Sequence, residues 1–299
     1  MTAASAYDDR DASRYAHISD GEIRLLLSRL DDLAAEAGRG LAALSAYLTP
    51  REAKAAARHL SPLLLRGTAV LWGGYVGAER VRAVLLPDYA EGLVDPHALG
   101  TEPVTALREV GFDDLADAIS QAVTPLCVRG SGYRALGHRD YLGSILALGV
   151  ERDAIGDLLV ADAAEDGARP TAYLFTNARM ADFLAESLER VANDTVQVSR
   201  VEAAGLIIPE RKLSPIRDTV ASERLDCVVA ALCNLSRDAS QTAVRQGLVE
   251  VDYEPATACD RILTPPATIT VRGYGKFRLD AFDGETRKGR VRLVAGKYV

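Results

Sequence analysis

Basic and polar side chains recur at helical spacing near the carboxyl-terminal end of the chain. Arg237, Gln241 and Arg245 follow one another at intervals of four residues, so on a helix they share one face. The planar guanidinium of arginine fits phosphate oxygens, and a helix N-terminus adds backbone N–H donors. Such a stripe could bind the backbone of structured RNA, but for the stripe alone a solvated amphipathic helix is the more common explanation.

Further basic residues flank this stripe on both sides. Arg224 stands at the start of one predicted helix and Arg237 at the start of the next, while Asp226 is expected only to cap or pair locally. The candidate RNA-binding residues are Arg224, Ser236, Arg237, Gln241, Arg245, Arg272, Lys276, Arg278, Lys288 and Arg290.

The distribution of charge supports this surface, although the whole chain has a net charge of −7. Residues 205–299 hold 15 basic and 12 acidic side chains, whereas residues 1–204 hold 20 and 30. Within 272–297 there are 8 basic residues against 3 acidic ones. The basic surface is therefore a local island on an acidic chain, which predicts local, orienting binding.

The segment Gly137–Gly143, GHRDYLG, also holds residue types that could do chemistry. A kinase catalytic loop would need Asn five residues after Asp140, where Ile145 stands. A pseudouridine synthase would use the Asp of an Arg-Leu-Asp, which occurs here only at 224–226 in a predicted helix. We therefore predict no catalytic residue and no enzymatic activity.

The four cysteines form no C-x2-C pair, and all four histidines precede residue 140. This pattern predicts reduced thiols in hydrophobic cores, with no metal site and no cofactor. The absence of any apolar run of about 18 residues predicts no membrane span. Residues 1–14 are polar and acidic, which predicts a short disordered tail without a signal peptide and a cytoplasmic protein.

Periodicity predicts the elements of the first two thirds of the chain. The first 65 residues are expected to be helical, with capping boxes at Ser19–Glu22 and Thr49–Glu52. Residues 69–86 are predicted as two strands around a glycine-rich turn. A plait of the ferredoxin-like β-α-β-β-α-β order follows, with 111–132 as a partly helical insertion. Its predicted elements are the strand 104–110, the helix 138–148, the strands 157–160 and 171–175, the helix 178–191 and the strand 195–201.

For the last third of the chain, the sequence predicts a linker after Pro209, followed by two helices and three strands. The first helix carries Leu225, Val228, Val229 and Leu232 behind a Ser222 cap, and the second ends at Gly247. The strands are expected at 248–251, 269–271 and 291–293. Residues 272–277 begin like the RNP1 motif of RRM domains, but Lys276 replaces its aromatic residue, so we interpret them as a basic exit of this module.

Two aromatic residues of the plait leave an alternative open. Tyr173 and Phe175 share one face of a predicted central strand, where they could stack on bases. Packing in the core is the more common fate of such residues, and we favour it about two to one.

The segment 222–251, SERLDCVVAALCNLSRDASQTAVRQGLVEV, combines Arg-Leu-Asp, a Ser-Arg about ten residues later, and a helix ending in G-x-V-x-V. It resembles the S4 RNA-binding domain over both helices and the following strand. The wider chain resembles the YlmH-type S4 proteins of bacteria over most of residues 70–299. The segments that carry this resemblance are 73–80, 86–89, 138–143, 156–160, 272–277 and 286–290.

The resemblance implies a ribosome-associated factor without catalytic residues. It implies that Arg237 and its basic neighbours contact ribosomal RNA of the large subunit, with tRNA as a second possible RNA, during rescue of stalled ribosomes. No membrane or DNA partner is expected. The alternatives are an RNA-modifying enzyme of pseudouridine-synthase-like type and a cell-division-associated interaction factor.

The sequence thus predicts an α+β protein of three parts. These are a tail and helical unit at 1–68, a ferredoxin-like or RRM-like domain with a preceding hairpin at 69–205, and an S4 domain with a basic extension at 206–299. Whether the plait binds RNA or protein is left open at this point.

Overall fold

The computed structural model describes residues 18, 20–94, 102–161, 171–202, 205–209 and 211–298. Its helices and antiparallel sheets confirm the α+β class. The chain forms two compact units, Met1–Pro209 and Glu210–Val299. The predicted tail at 1–14 and residue Ser19 lie outside the described residues.

The first unit begins with helices packed on a small sheet. Residues Leu27 and Leu30 of the first helix share a hydrophobic core with Ala83 and Leu85 of the predicted hairpin. The sheet order is β1-β3-β2, so the two strands around the glycine-rich turn are confirmed. The elements are α1 (Gly21–Ala37), β1 (Ala43–Leu44), α2 (Pro50–His59), α3 (Ser61–Leu65), β2 (Ala69–Trp72) and β3 (Arg82–Leu85).

The two predicted capping boxes have different outcomes. Thr49 and Glu52 form the reciprocal box at the start of α2 as predicted. The N-cap of α1 is Asp20, one residue later than expected, because its carboxylate accepts hydrogen bonds from the N–H groups of both Glu22 and Ile23.

The prediction of a strand at 104–110 is wrong. Residues Pro103–Glu109 form helix α4 and Asp113–Ala122 form helix α5. Proline at the first helical position suits a helix start, and the buried Leu107 belongs to a core that these helices share with the hairpin. The supposed insertion at 111–132 instead contains β4 (Thr124–Gly130), which is the true first strand of the plait.

The ferredoxin-like plait is present with that corrected first strand. Its sheet is antiparallel in the order β5-β6-β4-β8-β7, so β4 lies in the middle. Helix α7 ends at Ser187, earlier than predicted, because Arg190 and Val191 form a short strand of their own. The elements after β4 are α6 (His138–Ala147), β5 (Ile155–Ala161), β6 (Thr171–Thr176), α7 (Ala178–Ser187), β7 (Arg190–Val191) and β8 (Asp194–Arg200).

The two aromatic residues of β6 pack inside the protein. Phe175 is fully buried and its ring lies 5.2 Å from that of Tyr75, while Tyr173 is only 8% exposed. The packing interpretation of this pair is therefore confirmed.

The second unit is a six-stranded antiparallel sheet with two helices on one face. The strand order is β11-β10-β12-β13-β14-β9. Helix residues Leu225, Val228 and Val244 share one core with Phe277 and Leu293 of the sheet. The elements are β9 (Leu213–Val220), α8 (Leu225–Cys233), α9 (Arg237–Arg245), β10 (Val249–Val251), β11 (Glu254–Pro255), β12 (Ala267–Val271), β13 (Gly275–Glu285) and β14 (Val291–Tyr298).

Two predictions for this unit are wrong. The segment after Pro209 is not a linker throughout, because β9 pairs along its whole length with β14. Residues 272–277 are not an exit, because they turn the chain from β12 into β13, the longest strand. Both segments are rich in polar residues at solvent-facing positions, so their alternation is weak in the sequence.

The helix ends of the second unit are set by local backbone geometry. Arg224, and not Ser222, is the N-cap of α8. Asn234 ends α8 in the left-handed conformation, with φ of 51°. Gly247 follows α9 with φ of 70°, as predicted for a glycine cap.

The cysteines are free thiols, but only Cys127 is buried, and Cys227, Cys233 and Cys259 are half-buried. Within the described part of the chain, no helix is long and apolar enough to span a bilayer. No cluster of three or more His, Cys, Asp or Glu residues suited to hold a metal ion occurs among those residues either.

Candidate nucleic-acid interface

The candidate interface is built around a buried carboxylate at the start of α8. Asp226 is fully buried, and its two oxygens accept hydrogen bonds from Arg224 Nε and Nη2, both at 3.0 Å. Gln241 Nε2 donates to the same carboxylate at 2.9 Å, and the backbone N–H of Cys227 donates at 3.0 Å. The expected local pairing of Asp226 is confirmed, and it ties the two helices together.

The electrostatic state of Asp226 follows from these partners. Burial by itself raises the pKa of a carboxyl group, but hydrogen bonds from Arg224 and Gln241 and the Arg224 charge lower the pKa of Asp226 to about 2. Asp226 is therefore ionised at neutral pH. The guanidinium of Arg224 is held in one orientation, with its side chain still 34% exposed.

The predicted stripe on α9 connects to this network. The side chain of Gln241 faces Asp226, and its carbonyl oxygen accepts a hydrogen bond from Arg245 Nη2 at 3.3 Å. Ser236 caps the helix by accepting from the N–H of Ala239 at 3.2 Å. Arg237 is exposed, and within the described residues no hydrogen bond or ion pair occupies its side chain.

An open groove of about 400 Å³ runs beside these helices. It is lined by Arg224 before α8, Arg237 at the start of α9 and Arg290 in the turn before β14. Arg290 is held by Thr219, whose side-chain oxygen accepts from Nε at 3.0 Å and whose carbonyl accepts from Nη2. The fold thus brings three of the predicted arginines, far apart in sequence, to one groove.

The other predicted basic residues lie elsewhere on the second unit. Lys276 and Arg278 alternate with the buried Phe277 and Leu279, so they point away from the helix-covered face of the sheet. Lys276 lies over the rings of Tyr253 and Tyr298, at 4.9 and 5.1 Å from their centroids. Arg278 donates to Asp280 at 2.6 Å.

Two further predicted residues, Arg272 and Lys288, are exposed in turns between strands. The ten predicted residues therefore fall into three sets. One set lines the groove or belongs to α9 and the Asp226 hydrogen-bond network beside it, the second lies on the opposite face of the sheet, and the third lies in two turns. Sequence reasoning did not identify Asp218, Thr219 and Asn234 as groove residues. The strand that positions Asp218 and Thr219 was interpreted as a linker, so no signal pointed to them.

The groove has the chemistry of a phosphate-binding surface. Arginine forks form charge-assisted hydrogen bonds with phosphate oxygens, and the N-terminus of α9 adds its partial positive charge. The Asp226 network fixes Arg224 before any ligand arrives, which lowers the entropic cost of binding.

The motifs of the first unit form a separate, structural cluster. Asp157 of β5 accepts hydrogen bonds from Tyr75 Oη at 2.6 Å and from the N–H groups of Glu79 and Arg80 at 2.7 and 3.0 Å. The buried Arg80 side chain donates to the carbonyl oxygens of Ile155 and Arg152. These contacts fasten the glycine-rich turn to the plait.

Three comparisons with known proteins find similarities. Residues 130–204 match the family model described as "Putative RNA-binding domain in YlmH". The chain is 29% identical over 222 residues, 74% of its length, to the "Ribosome-associated protein quality control protein P2" of Bacillus subtilis (strain 168), of which it covers 75%. A solved structure, "Cell division protein ylmH from Streptococcus pneumoniae", matches with a TM-score of 0.43 and 18% identity, covering 63% of this chain and 96% of that one.

The family match and the predicted site lie in different parts of the chain. The matched residues, 130–204, belong to the plait, whereas all ten predicted RNA-binding residues lie between 224 and 290. In the plait, sequence patterns indicated only Tyr173 and Phe175 as possible RNA contacts, and both are buried.

Proposed function

We propose that the second unit of this chain, which is similar to YlmH-type proteins, is an S4-type module that binds RNA of the large ribosomal subunit. We propose that it acts in the rescue of stalled ribosomes, with tRNA as a second RNA partner. On this proposal it works in the cytoplasm by binding, without catalysis, cofactor or membrane. The Bacillus subtilis relative is named for ribosome-associated protein quality control, which supports this role.

The observation that carries the proposal is the convergence of Arg224, Arg237 and Arg290 on one groove. Arg224 and Arg290 are each fixed by hydrogen bonds, whereas the exposed Arg237 guanidinium has no partner among the residues that the structure describes. An A-form RNA helix is recognised mainly through its phosphates and 2′-hydroxyl groups, and such a groove presents donors for both.

Arg237→Ala tests the proposal directly. The variant should weaken binding to large subunits by about 1–3 kcal/mol, because it removes one phosphate contact without disturbing the Asp226 network. The measurement is co-sedimentation of the purified full-length protein with 30S, 50S and 70S particles across a salt series. The dependence of affinity on salt should also become less steep.

Arg58→Ala is the matched control, since it removes an exposed arginine from a helix of the acidic first unit. It should leave sedimentation unchanged. Equal binding of Arg237→Ala and the parent protein to large subunits would overturn the assignment of Arg237. A parent protein without salt-dependent RNA affinity would instead favour a protein-interaction role, and a modification missing from the RNA of a deletion strain would favour an enzyme.

A further inference from the structure

The first unit is acidic as a whole, but several of its segments contain no acidic residue, and residues 128–139 are one of them. Residues 1–204 hold 30 acidic side chains against 20 basic ones, yet residues 128–139, VRGSGYRALGHR, contain Arg129, Arg134, Arg139 and His138 and no Asp or Glu. The segment covers the end of β4, the loop 131–137 and the first two residues of α6. It lies at the start of the part of the chain that matches the RNA-binding family model.

The loop 131–137 is held in place at both ends. Ser131 donates through its N–H, at 3.0 Å, and its hydroxyl to the carboxylate of Asp194, which is only 2% exposed. Leu136 is 5% exposed and packs into the core of the plait. Gly137 donates its N–H to Asp140 at 2.9 Å. The loop therefore has a defined conformation, in which its middle residues project from the plait.

The residue at the tip of this loop is Tyr133, whose side chain is 87% exposed. Its N–H donates to Ser131 Oγ at 3.1 Å, and within the described residues its hydroxyl has no hydrogen-bond partner. Gly132 before it has φ of 94°, a conformation that favours glycine and turns the chain so that the tip projects. The plait tyrosines Tyr141 and Tyr173, in contrast, are buried.

We propose that the loop 131–137 binds unpaired RNA, with Tyr133 stacking on a nucleobase and Arg134 and Arg139 contacting the phosphates beside it. Base stacking on exposed aromatic rings, together with arginine contacts to the backbone, is how proteins bind single-stranded loops. A single projecting ring among arginines suits a base better than a protein partner, which would require a continuous apolar patch. This inference rests on the proposed RNA-binding function and extends it from the groove to the plait.

The Arg134 side chain remains available for this contact. Its ion pair with Asp140 is 3.7 Å long, and the side chain is 40% exposed. Arg139 is exposed, and no hydrogen bond or ion pair engages its side chain within the described part of the chain. Both side chains can thus turn toward a phosphate without breaking a buried contact.

The test uses the purified full-length protein and a labelled RNA stem–loop, with the same stem–loop carrying abasic sites in its unpaired loop as the second probe. Tyr133→Ala should bind the normal stem–loop roughly tenfold more weakly than the parent, within the range measured for one stacked base. On the abasic probe, Tyr133→Ala and the parent should bind equally. Tyr133→Trp should retain affinity, and its fluorescence should be quenched by the normal stem–loop only.

Tyr89→Ala serves as the matched control, because Tyr89 is also exposed, at 57%, but lies beside the acidic residues Asp88 and Glu91. It should leave affinity for both probes unchanged. The proposal is overturned if Tyr133→Ala binds the normal stem–loop as tightly as the parent, if it loses equal affinity for both probes, or if the parent binds neither. Arg237→Ala with large subunits tests the groove separately, so failure of one site is distinguishable from failure of the other.

Discussion

Two buried aspartates, one in each unit, organise their surroundings in opposite ways. Asp157 in the first unit is bound by Tyr75 Oη and by two backbone N–H groups, and the neighbouring Arg80 donates only to backbone carbonyls. Asp226 in the second unit is bound by the side chains of Arg224 and Gln241, which stay partly exposed beside a groove. The first carboxylate attaches the glycine-rich turn to β5, and the second holds side chains in position beside the groove.

This difference separates structural motifs from candidate contact residues. The segments 73–80 and 156–160 are conspicuous in the sequence, yet Tyr75 donates to Asp157, and the buried Arg80 side chain donates to backbone carbonyls of the same unit. In the second unit, the network leaves the Arg224 side chain 34% exposed and Arg237 unengaged within the described residues. A cluster of polar residues can bind a ligand only where some of its hydrogen-bond donors are not already paired within the protein.

The largest effect is expected from Asp157→Ala. Loss of this buried carboxylate leaves the Tyr75 hydroxyl and the N–H groups of Glu79 and Arg80 without their acceptor, so the first unit should lose about 3–5 kcal/mol of unfolding free energy. Denaturant unfolding combined with hydrogen exchange assigns the loss to peptides of the first unit.

Asp182→Ala provides the comparison for this variant. Asp182 forms an exposed ion pair with Arg200 and should contribute about 0–1 kcal/mol. If Asp157→Ala lowered the unfolding free energy no more than Asp182→Ala does, the contacts of Asp157 would not stabilise the first unit. A loss of protection in the second unit would also contradict the distinction between the two aspartates.

A smaller effect is expected from Asp226→Asn. The amide keeps the size of the carboxylate but presents N–H groups to Arg224 or Gln241, so the second unit should lose about 2–3 kcal/mol. Because Arg224 is no longer fixed, affinity for large subunits should also fall. Asp283→Asn, at an exposed position of β13, should change neither quantity. Unaltered affinity at unaltered stability would show that the network does not organise the groove.

The smallest effect is the pH dependence of the difference in unfolding free energy between the parent protein and Asp226→Asn. The pKa of Asp226 in the folded protein, about 2, lies below its ordinary value near 4, so its ionised form stabilises the fold at pH values above 4. This contribution is lost as the pH falls from about 4 to about 2. The stability difference between the parent and Asp226→Asn should therefore shrink over that window. A constant difference, measured by denaturant titration at each pH, would contradict the assigned pairing.

Local patterns predicted the second unit better at its helices than at its strands. The partners of Asp226 lie 2 and 15 residues away, and the caps at Ser236 and Gly247 depend on adjacent residues. The strand β9 was missed because its pairing with β14 joins residues more than 70 positions apart, and its own alternation is weak.

In the first unit the main error was the first strand of the plait. Pro103–Glu109 has enough apolar residues to imitate a strand, but its leading proline and buried Leu107 belong to a helix. The central strand Thr124–Gly130 was obscured because both of its neighbours, β6 and β8, come much later in the chain.

The sequence by itself determined the α+β class, the resemblance to YlmH-type proteins, the two helices of the second unit with the Gly247 cap, and the basic character of residues 272–297, because these depend on neighbouring residues or on composition. Only the tertiary structure decided which arginines line the same groove. Arg224 and Arg290 line one groove because β14 pairs with β9, whereas Lys276 and Arg278 lie on the opposite face because strand side chains alternate. Which polar groups are paired is in part also decided by the folded chain, since Tyr75 bonds to Asp157 and Thr219 to Arg290 across more than 70 residues of sequence.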